Sequence, residues 1–196
     1  VLMAGGYGKR LLPLTNKVPK PLLKINKKSI LELAIENFEK YNFKNFYIST
    51  HYKSSLIKKY FNSKKFLKFK IVYLVEKKPL GTAGCLSILN FDRIKENILV
   101  YNGDIITNLN ILNLYKFHID TESDITVCAK EYSNSSPYGE ILFDGFKIKK
   151  ILEKPQKKSF VNAGIYILKK KLIKKVKTSR IDMTDVIEQT INKKGK

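Results

Sequence analysis

Val1-Leu2-Met3-Ala4-Gly5-Gly6-Tyr7-Gly8-Lys9-Arg10 opens the chain, and an apolar run that breaks straight into a glycine loop decides how the rest is read. Residues 1–4 predict the end of a buried strand. The three glycines allow positive φ and close backbone approach, so amide hydrogens can face an anion. Arg10 can then grip phosphate oxygens as a fork. The spacing is neither G-x-G-x-x-G nor a Walker pattern, since no Lys-Ser/Thr pair follows. Taken alone, a tight turn explains the loop equally well.

Working outward, short β-type runs alternate with amphipathic helical runs. Residues 30–41 follow the helical period, with Ile30, Leu31, Leu33, Ala34, Ile35, Phe38 and Tyr41 on one side and Glu32, Glu36, Glu39 and Lys40 outside. Strands are predicted at 46–49, 71–75 and 98–101, and helices at 55–61, 82–89 and 109–118. This order argues for a parallel sheet covered by helices. After Ser123 the pattern becomes strand-rich, at 125–129, 140–143, 148–152 and 161–168, with Asp144-Gly145 as a turn signal. A last helix is predicted at 184–191, with Asp182 and Asp185 as capping acids at its positive end. The expected fold is α/β: a Rossmann-like, mixed but mostly parallel sheet flanked by helices, in one continuous unit.

The chain has 196 residues, 43% of them hydrophobic, enough for a sizeable core. No apolar run is long enough to span a bilayer, and the N-terminus lacks the basic region of a signal peptide. Lys and Arg total 38 against 17 acids, a net charge of +21, and the only arginines are Arg10, Arg93 and Arg180. Such a charge draws polyanions. Residues 147–177 hold twelve Lys against the single acid Glu153. The lysines are spread through the chain, however, and bidentate anchors favour Arg. Most of the charge therefore reads as solvated surface, and a nucleic-acid partner is disfavoured. Cys85 and Cys128 lie far apart and the only histidines are His51 and His118, so no zinc-type spacing exists. Two distant thiols point to a reducing, cytoplasmic compartment.

Two further motifs carry chemistry. Pro19-Lys20-Pro21 stiffens an extended segment and leaves Lys20 little backbone freedom, which suits an ammonium that must meet a phosphate. Asn102-Gly103-Asp104 follows a predicted strand, where ligand sites of open α/β sheets gather. Asp104 suits Mg²⁺, which takes carboxylate, water and phosphate oxygens. Each also has a plain reading, as an exposed proline loop and an ordinary turn.

Together these elements resemble the sugar-1-phosphate nucleotidyltransferases. The family pattern G-G-x-G-x-R-L-x-P-L-T stands here as Gly5-Gly6-Tyr7-Gly8-Lys9-Arg10-Leu11-Leu12-Pro13-Leu14-Thr15, followed by Pro19-Lys20-Pro21-Leu22-Leu23. Lys9 departs from it, where many members carry Thr. Pro79-Leu80-Gly81-Thr82-Ala83-Gly84 is similar to the nucleobase loop, Pro137-Tyr138-Gly139 to a sugar-contact turn, Glu153-Lys154-Pro155 to the E-K-P segment, and Asn162-Ala163-Gly164-Ile165-Tyr166 to a strand lining the sugar pocket.

The resemblance implies the nucleotide-diphospho-sugar transferase fold and a reaction of nucleoside triphosphate with sugar 1-phosphate. It implies catalytic roles for Arg10, Lys20 and Lys154, and nucleotide contacts from Ala4, Gly5, Gly6, Gly8, Arg10, Lys20, Glu76, Gly81, Thr82 and Ala83. Sugar contacts would come from Gly103, Tyr138, Gly139, Glu153, Lys154, Asn162 and Gly164, with Mg²⁺ on Asp104. The Leu80–Gly84 string is most similar to guanylyltransferases such as mannose-1-phosphate guanylyltransferase. That points to GTP with a mannose- or glucosamine-type sugar. Uridylyl and thymidylyl members, and a catalytically weak nucleotide-sugar-binding module, stay open, as does a homo-oligomer. The family's second metal-binding Asp, in a W-x-D-I-G-like segment, has no counterpart, and there is no Trp. The chain thus reads as one catalytic domain trimmed at both ends, with a nucleotide half at 1–120 and a sugar half at 121–196.

Overall fold

A computed structural model describes residues 1–193 and 195. The elements in chain order are β1 (Leu2–Met3), β2 (Lys24–Ile25), β3 (Lys28–Ser29), α1 (Ile30–Glu39), β4 (Asn45–Thr50), α2 (Ser54–Phe61), β5 (Lys70–Val75) and α3 (Gly81–Gly84). They continue with β6 (Asn97–Asn102), α4 (Ile111–Asp120), β7 (Ile125–Ser135), β8 (Glu140–Asp144), β9 (Lys147–Leu152), β10 (Gln156–Lys169), α5 (Lys170–Ile173) and α6 (Met183–Asn192). Short 3-10 turns follow the glycine loop at Lys9–Leu11, Leu14–Asn16 and Lys20–Leu22.

Contacts divide the chain into two compact units. The first contains Val1–Thr126 and the chain from Gly164 onward; the second is Val127–Ala163. The main sheet has the order β5-β4-β1-β6-β10-β7. β1 runs parallel to both β4 and β6, with Leu2 opposite Ile48 and Tyr101. β4 is parallel to β5, and β10 returns antiparallel along β6, pairing Ile165 with Tyr101. This is the mixed, mostly parallel sheet expected from the sequence. Parallel strands are covered on both faces, so β4 and β6 read as near-continuous apolar runs.

α1 shows how sequence becomes packing. The Ser29 side chain caps it by accepting from the Glu32 N–H at 3.1 Å. Leu31, Ile35 and Phe38, spaced i, i+4 and i+7, are then fully buried. The Phe38 ring meets Tyr101 of β6 edge-on, 5.1 Å between centroids. Burying one such side chain contributes roughly 2–3 kcal/mol. On its other side Glu32 is buried but paired: it accepts from the Tyr60 hydroxyl and from the Lys65 ammonium. Burial alone would raise its carboxyl, but those two donors outweigh burial and hold it below the usual range.

The second unit is built from the outer part of β7, the β8–β9 hairpin and the leading part of β10. The hairpin pairs Ile141 with Ile151 and Phe143 with Ile148 around a bulge at Leu142/Phe143, and turns at Gly145. The strands β7 and β10 extend well past the 125–129 and 161–168 expected from apolar alternation. Their extra residues, 130–135 and 156–160, are exposed, so no alternation marks them. The expected helix at 82–89 is a single α-turn followed by a 3-10 turn at Cys85–Ile88. The Ala83 and Gly84 amides donate to the Ile181 carbonyl instead of standing free at a helix start. Cys85 is buried and Cys128 half-buried.

Candidate nucleotide-binding site

The carboxyl ends of β1 and β6 lie side by side, and their loops converge there. The Gly103 amide donates to the Met3 carbonyl at 2.9 Å, and a methyl at Gly103 would sit 2.5 Å from that oxygen. The glycine loop leaves β1 with the Ala4 amide bonded to Ser49 O at 3.0 Å. Gly8 holds φ +66, a left-handed conformation that glycine adopts at little cost. Thr15 Oγ1 donates to its carbonyl at 3.0 Å. A Cβ on Gly8 would come within 2.9 Å of Thr15 Cγ2 and 3.1 Å of Lys20 Cβ, so the loop packs directly on the Pro-Lys-Pro segment.

Lys20 then reaches across to Asp104 and forms an ion pair with its carboxylate. The side chains are 28% and 39% exposed, so the pair faces solvent. Below it, burial and then the Asp104 charge push the Tyr101 phenol up to about 12; its hydroxyl donates to Ile105 O at 2.9 Å. From the sheet's other side Gly164 (φ +74) lies against Asn102, where a Cβ would meet Nδ2 at 2.4 Å. Arg10 follows Gly8 on an exposed turn, and its guanidinium has no ion-pair partner among the described residues. The loop, Lys20, Asp104, Gly103 and Gly164 are thus brought together, with Arg10 close by in sequence.

Glu76 is placed inside. Only 6% of it is exposed, its carboxylate accepts from the Ser49 hydroxyl and from the Leu80 N–H at 2.9 Å, and a methyl on Gly5 would lie 2.8 Å from its Oε1. The nucleobase-type loop that follows is pinned by α6. Thr82 donates its N–H to Asp182 Oδ1 at 2.8 Å and its hydroxyl accepts from the Met183 N–H at 2.8 Å. Asp182 and Asp185 form a capping box on α6, as their positions predict. Nearby, burial pushes the Cys85 thiol up to about 12, which keeps it protonated and inert.

Tyr138, Gly139, Glu153, Lys154 and Asn162 all belong to the second unit. There Gly139 faces Glu153, whose Oε2 would lie 3.2 Å from a Cβ on Gly139. Lys154 sits in a left-handed conformation at φ +43. Sequence reasoning passed over Tyr7 and His51, which bond at 3.1 Å beside the glycine loop; 44 residues separate them and no local pattern links them. Among the described residues no three His, Cys, Asp or Glu side chains gather to hold a metal. One solvent-facing carboxylate, Asp104, still fits Mg²⁺, which commonly takes one or two protein carboxylates and fills its shell with phosphate and water.

Residues 1–196 match the Nucleotidyl transferase family along their whole length. The chain belongs to the sugar-1-phosphate nucleotidyltransferases. Among members of this nucleotidyltransferase family, it is 33% identical over 173 residues to D-glycero-alpha-D-manno-heptose 1-phosphate guanylyltransferase of Campylobacter jejuni, covering 87% of this chain and 75% of that protein. It is 31% identical over 183 residues to mannose-1-phosphate guanylyltransferase catalytic subunit beta of Danio rerio, covering 90% of this chain and 51% of that one. The chain therefore spans about half the length of some curated relatives. HddC from Yersinia pseudotuberculosis, solved with GMP-PN, superimposes with a TM-score of 0.72 at 27% identity, over 92% of this chain and 80% of that one. No described helix of this nucleotidyltransferase is long and apolar enough to cross a membrane.

Proposed function

We propose that the chain transfers a nucleotidyl group from a nucleoside triphosphate, best GTP, to a mannose- or glucosamine-type sugar 1-phosphate, releasing pyrophosphate. The observation that carries this reading is the meeting of the glycine loop, Lys20 and Asp104 at the carboxyl ends of β1 and β6. A sugar phosphate is already an anionic nucleophile near pH 7. Its oxygen forms the new bond to the α-phosphorus as the bond to the β-phosphate oxygen breaks, and pyrophosphate leaves with that electron pair. No side chain need be activated for this step; the difficulty is holding several anions together in line.

The chain's own groups answer that difficulty. The Gly6 and Gly8 amides border the triphosphate, and a side chain at Gly6 would meet nothing within 4 Å, so space is open there. Arg10, exposed and without an ion-pair partner among the described residues, neutralises charge building on the leaving pyrophosphate. Lys20 turns from Asp104 to the α-phosphate. Asp104 would hold Mg²⁺, which when bound neutralises phosphate charge. The family resemblance assigns Lys154 to the sugar phosphate and Glu153, Tyr138, Gly139 and Asn162, all within the second unit, to the sugar; in the first unit it assigns sugar contacts to Gly103 and Gly164. Guanine is supported by the Leu80–Gly84 string and by the guanylyltransferases among the similar proteins.

The test is thermal shift with GTP, UTP, dTTP, CTP and ATP in Mg²⁺. A specific triphosphate at 100 times its Kd adds ~2.7 kcal/mol. GTP should shift the melt most; equal shifts from all five sink the guanine assignment.

A further inference from the structure

The loop that would meet the phosphates and the loop that would meet the base are joined by a side-chain bridge that the transfer reaction itself does not use. His51 stands just after β4 and Glu76 just after β5. His51 Nδ1 lies 2.9 Å from the Glu76 carbonyl, and Nε2 lies 3.1 Å from the Tyr7 hydroxyl. A backbone carbonyl only accepts, so its partner fixes the proton on Nδ1. Nε2 is then left to accept from the Tyr7 O–H. From Glu76 the connection runs on through its carboxylate to the Leu80 N–H, the residue before Gly81.

Tyr7 is held from other sides as well. Its ring meets His51 edge-on at 5.6 Å and tilts onto Tyr52 at 5.2 Å. The Lys53 ammonium sits 5.0 Å from the Tyr52 ring and donates to the Asn16 carbonyl, which closes the cluster against the turn after the glycine loop. At the loop's root a Cβ on Gly5 would lie 3.5 Å from His51 Cβ. Tyr7 itself is 42% exposed, so its ring also faces solvent.

We propose that Tyr7 and His51 are positioning residues that hold the glycine loop and the Leu80–Gly84 segment in one fixed relation, so that a triphosphate and its base are met by preformed partners. This rests on the nucleotide reading above. Ordering a loop before binding removes that cost from binding. The hydroxyl–imidazole bond is a neutral one, for which a net contribution of about 0.5–1.5 kcal/mol is usual, so losing it should weaken nucleotide binding about 3–10-fold.

Calorimetric titration of GTP and UTP with Mg²⁺ tests this on Tyr7→Phe, His51→Ala, their double variant and Lys20→Ala. Tyr7→Phe keeps the ring packing and loses only the hydroxyl. Expected are a rise in Kd of about 3–10-fold for Tyr7→Phe, a KM for the triphosphate raised in step with kcat unchanged, and a melting temperature close to that of the parent. The double variant should bind no more weakly than His51→Ala, since both act through one bond. His51→Asn, which can still donate to the Glu76 carbonyl, should recover part of the loss in His51→Ala. Unchanged affinity in Tyr7→Phe, or additive losses in the double variant, overturns the bridge while the nucleotide reading stands. If the parent protein binds neither nucleotide, both fall together.

Discussion

Lys20→Ala separates stability from chemistry in the proposed site. Alanine keeps the Cβ that packs 3.1 Å from where a Gly8 side chain would begin, so the loop loses no support. What is lost is the ammonium that pairs with Asp104. With side chains 28% and 39% exposed, that pair is solvated, and solvated pairs are worth ~0–1 kcal/mol. For a chain of this size ~1 kcal/mol moves the melting temperature by roughly 2–4 °C. Turnover should suffer far more. Removing one preorganised charge donor from a transition state costs ~10²–10³-fold, about 2.7–4 kcal/mol. Pyrophosphate release at saturating GTP and sugar 1-phosphate, beside a thermal melt of the same sample, reads both quantities. Activity within tenfold of the parent would refute the role of Lys20. A fall in melting temperature beyond about 10 °C would show instead that the pair is a structural tie.

Gly81→Ala should destabilise where Gly6→Ala does not. At Gly81, with φ +77, the new methyl would fall 2.5 Å from the Ile181 carbonyl and 2.7 Å from Asp182 Oδ1. Left-handed strain of ~1–2 kcal/mol and a weakened Thr82–Asp182 bond of ~0.5–1.5 kcal/mol together predict a loss of about 1.5–3.5 kcal/mol. Chemical denaturation measures it, and equal midpoints for the two variants would refute the packing described. His118 should make stability fall in acid. It is 1% exposed, bonded to Thr126 and Asn97, and burial, then the Lys169 charge, lowers its pKa below 6.5 against a smaller opposing pull from Asp124. Its neutral form is the one folded, so its contribution is intact above the unfolded value and lost as pH falls through the folded one, at most ~1.4 kcal/mol per pH unit. Melts from pH 7.5 to pH 5 should show a steeper decline for the parent than for His118→Gln; parallel declines would count against it.

How much the sequence revealed follows from the range over which each signal acts. β4, β5, β6 and α1 were legible because apolar spacing over one element is set by burial of that element. The capping role of Asp182 and Asp185 was legible for the same reason: a cap and its target lie three residues apart. The β2–β3 hairpin was not, because strands of two residues carry no period, and its turn at Asn26 and Lys27 uses positive φ without a glycine. In the site, sequence reasoning assigned Lys20 to phosphate and Asp104 to Mg²⁺ but held no sign of the ion pair they make with each other. The inward use of Glu76 and the Tyr7–His51 contact depend on strands that are adjacent only in the folded sheet, so nothing near them in the chain announces either.

The grip of Asp182 on Thr82 spans 100 residues of chain. During synthesis at ~5–20 residues per second, the base-side loop emerges several seconds before the helix that pins it. Its Ala83 and Gly84 amides have no carbonyl to meet until Ile181 leaves the ribosome. The sheet can close early on its parallel strands, yet the Leu80–Gly84 segment is pinned only when α6 docks. A nascent chain stalled short of Ile181 would carry a formed sheet and an unpinned Leu80–Gly84 segment.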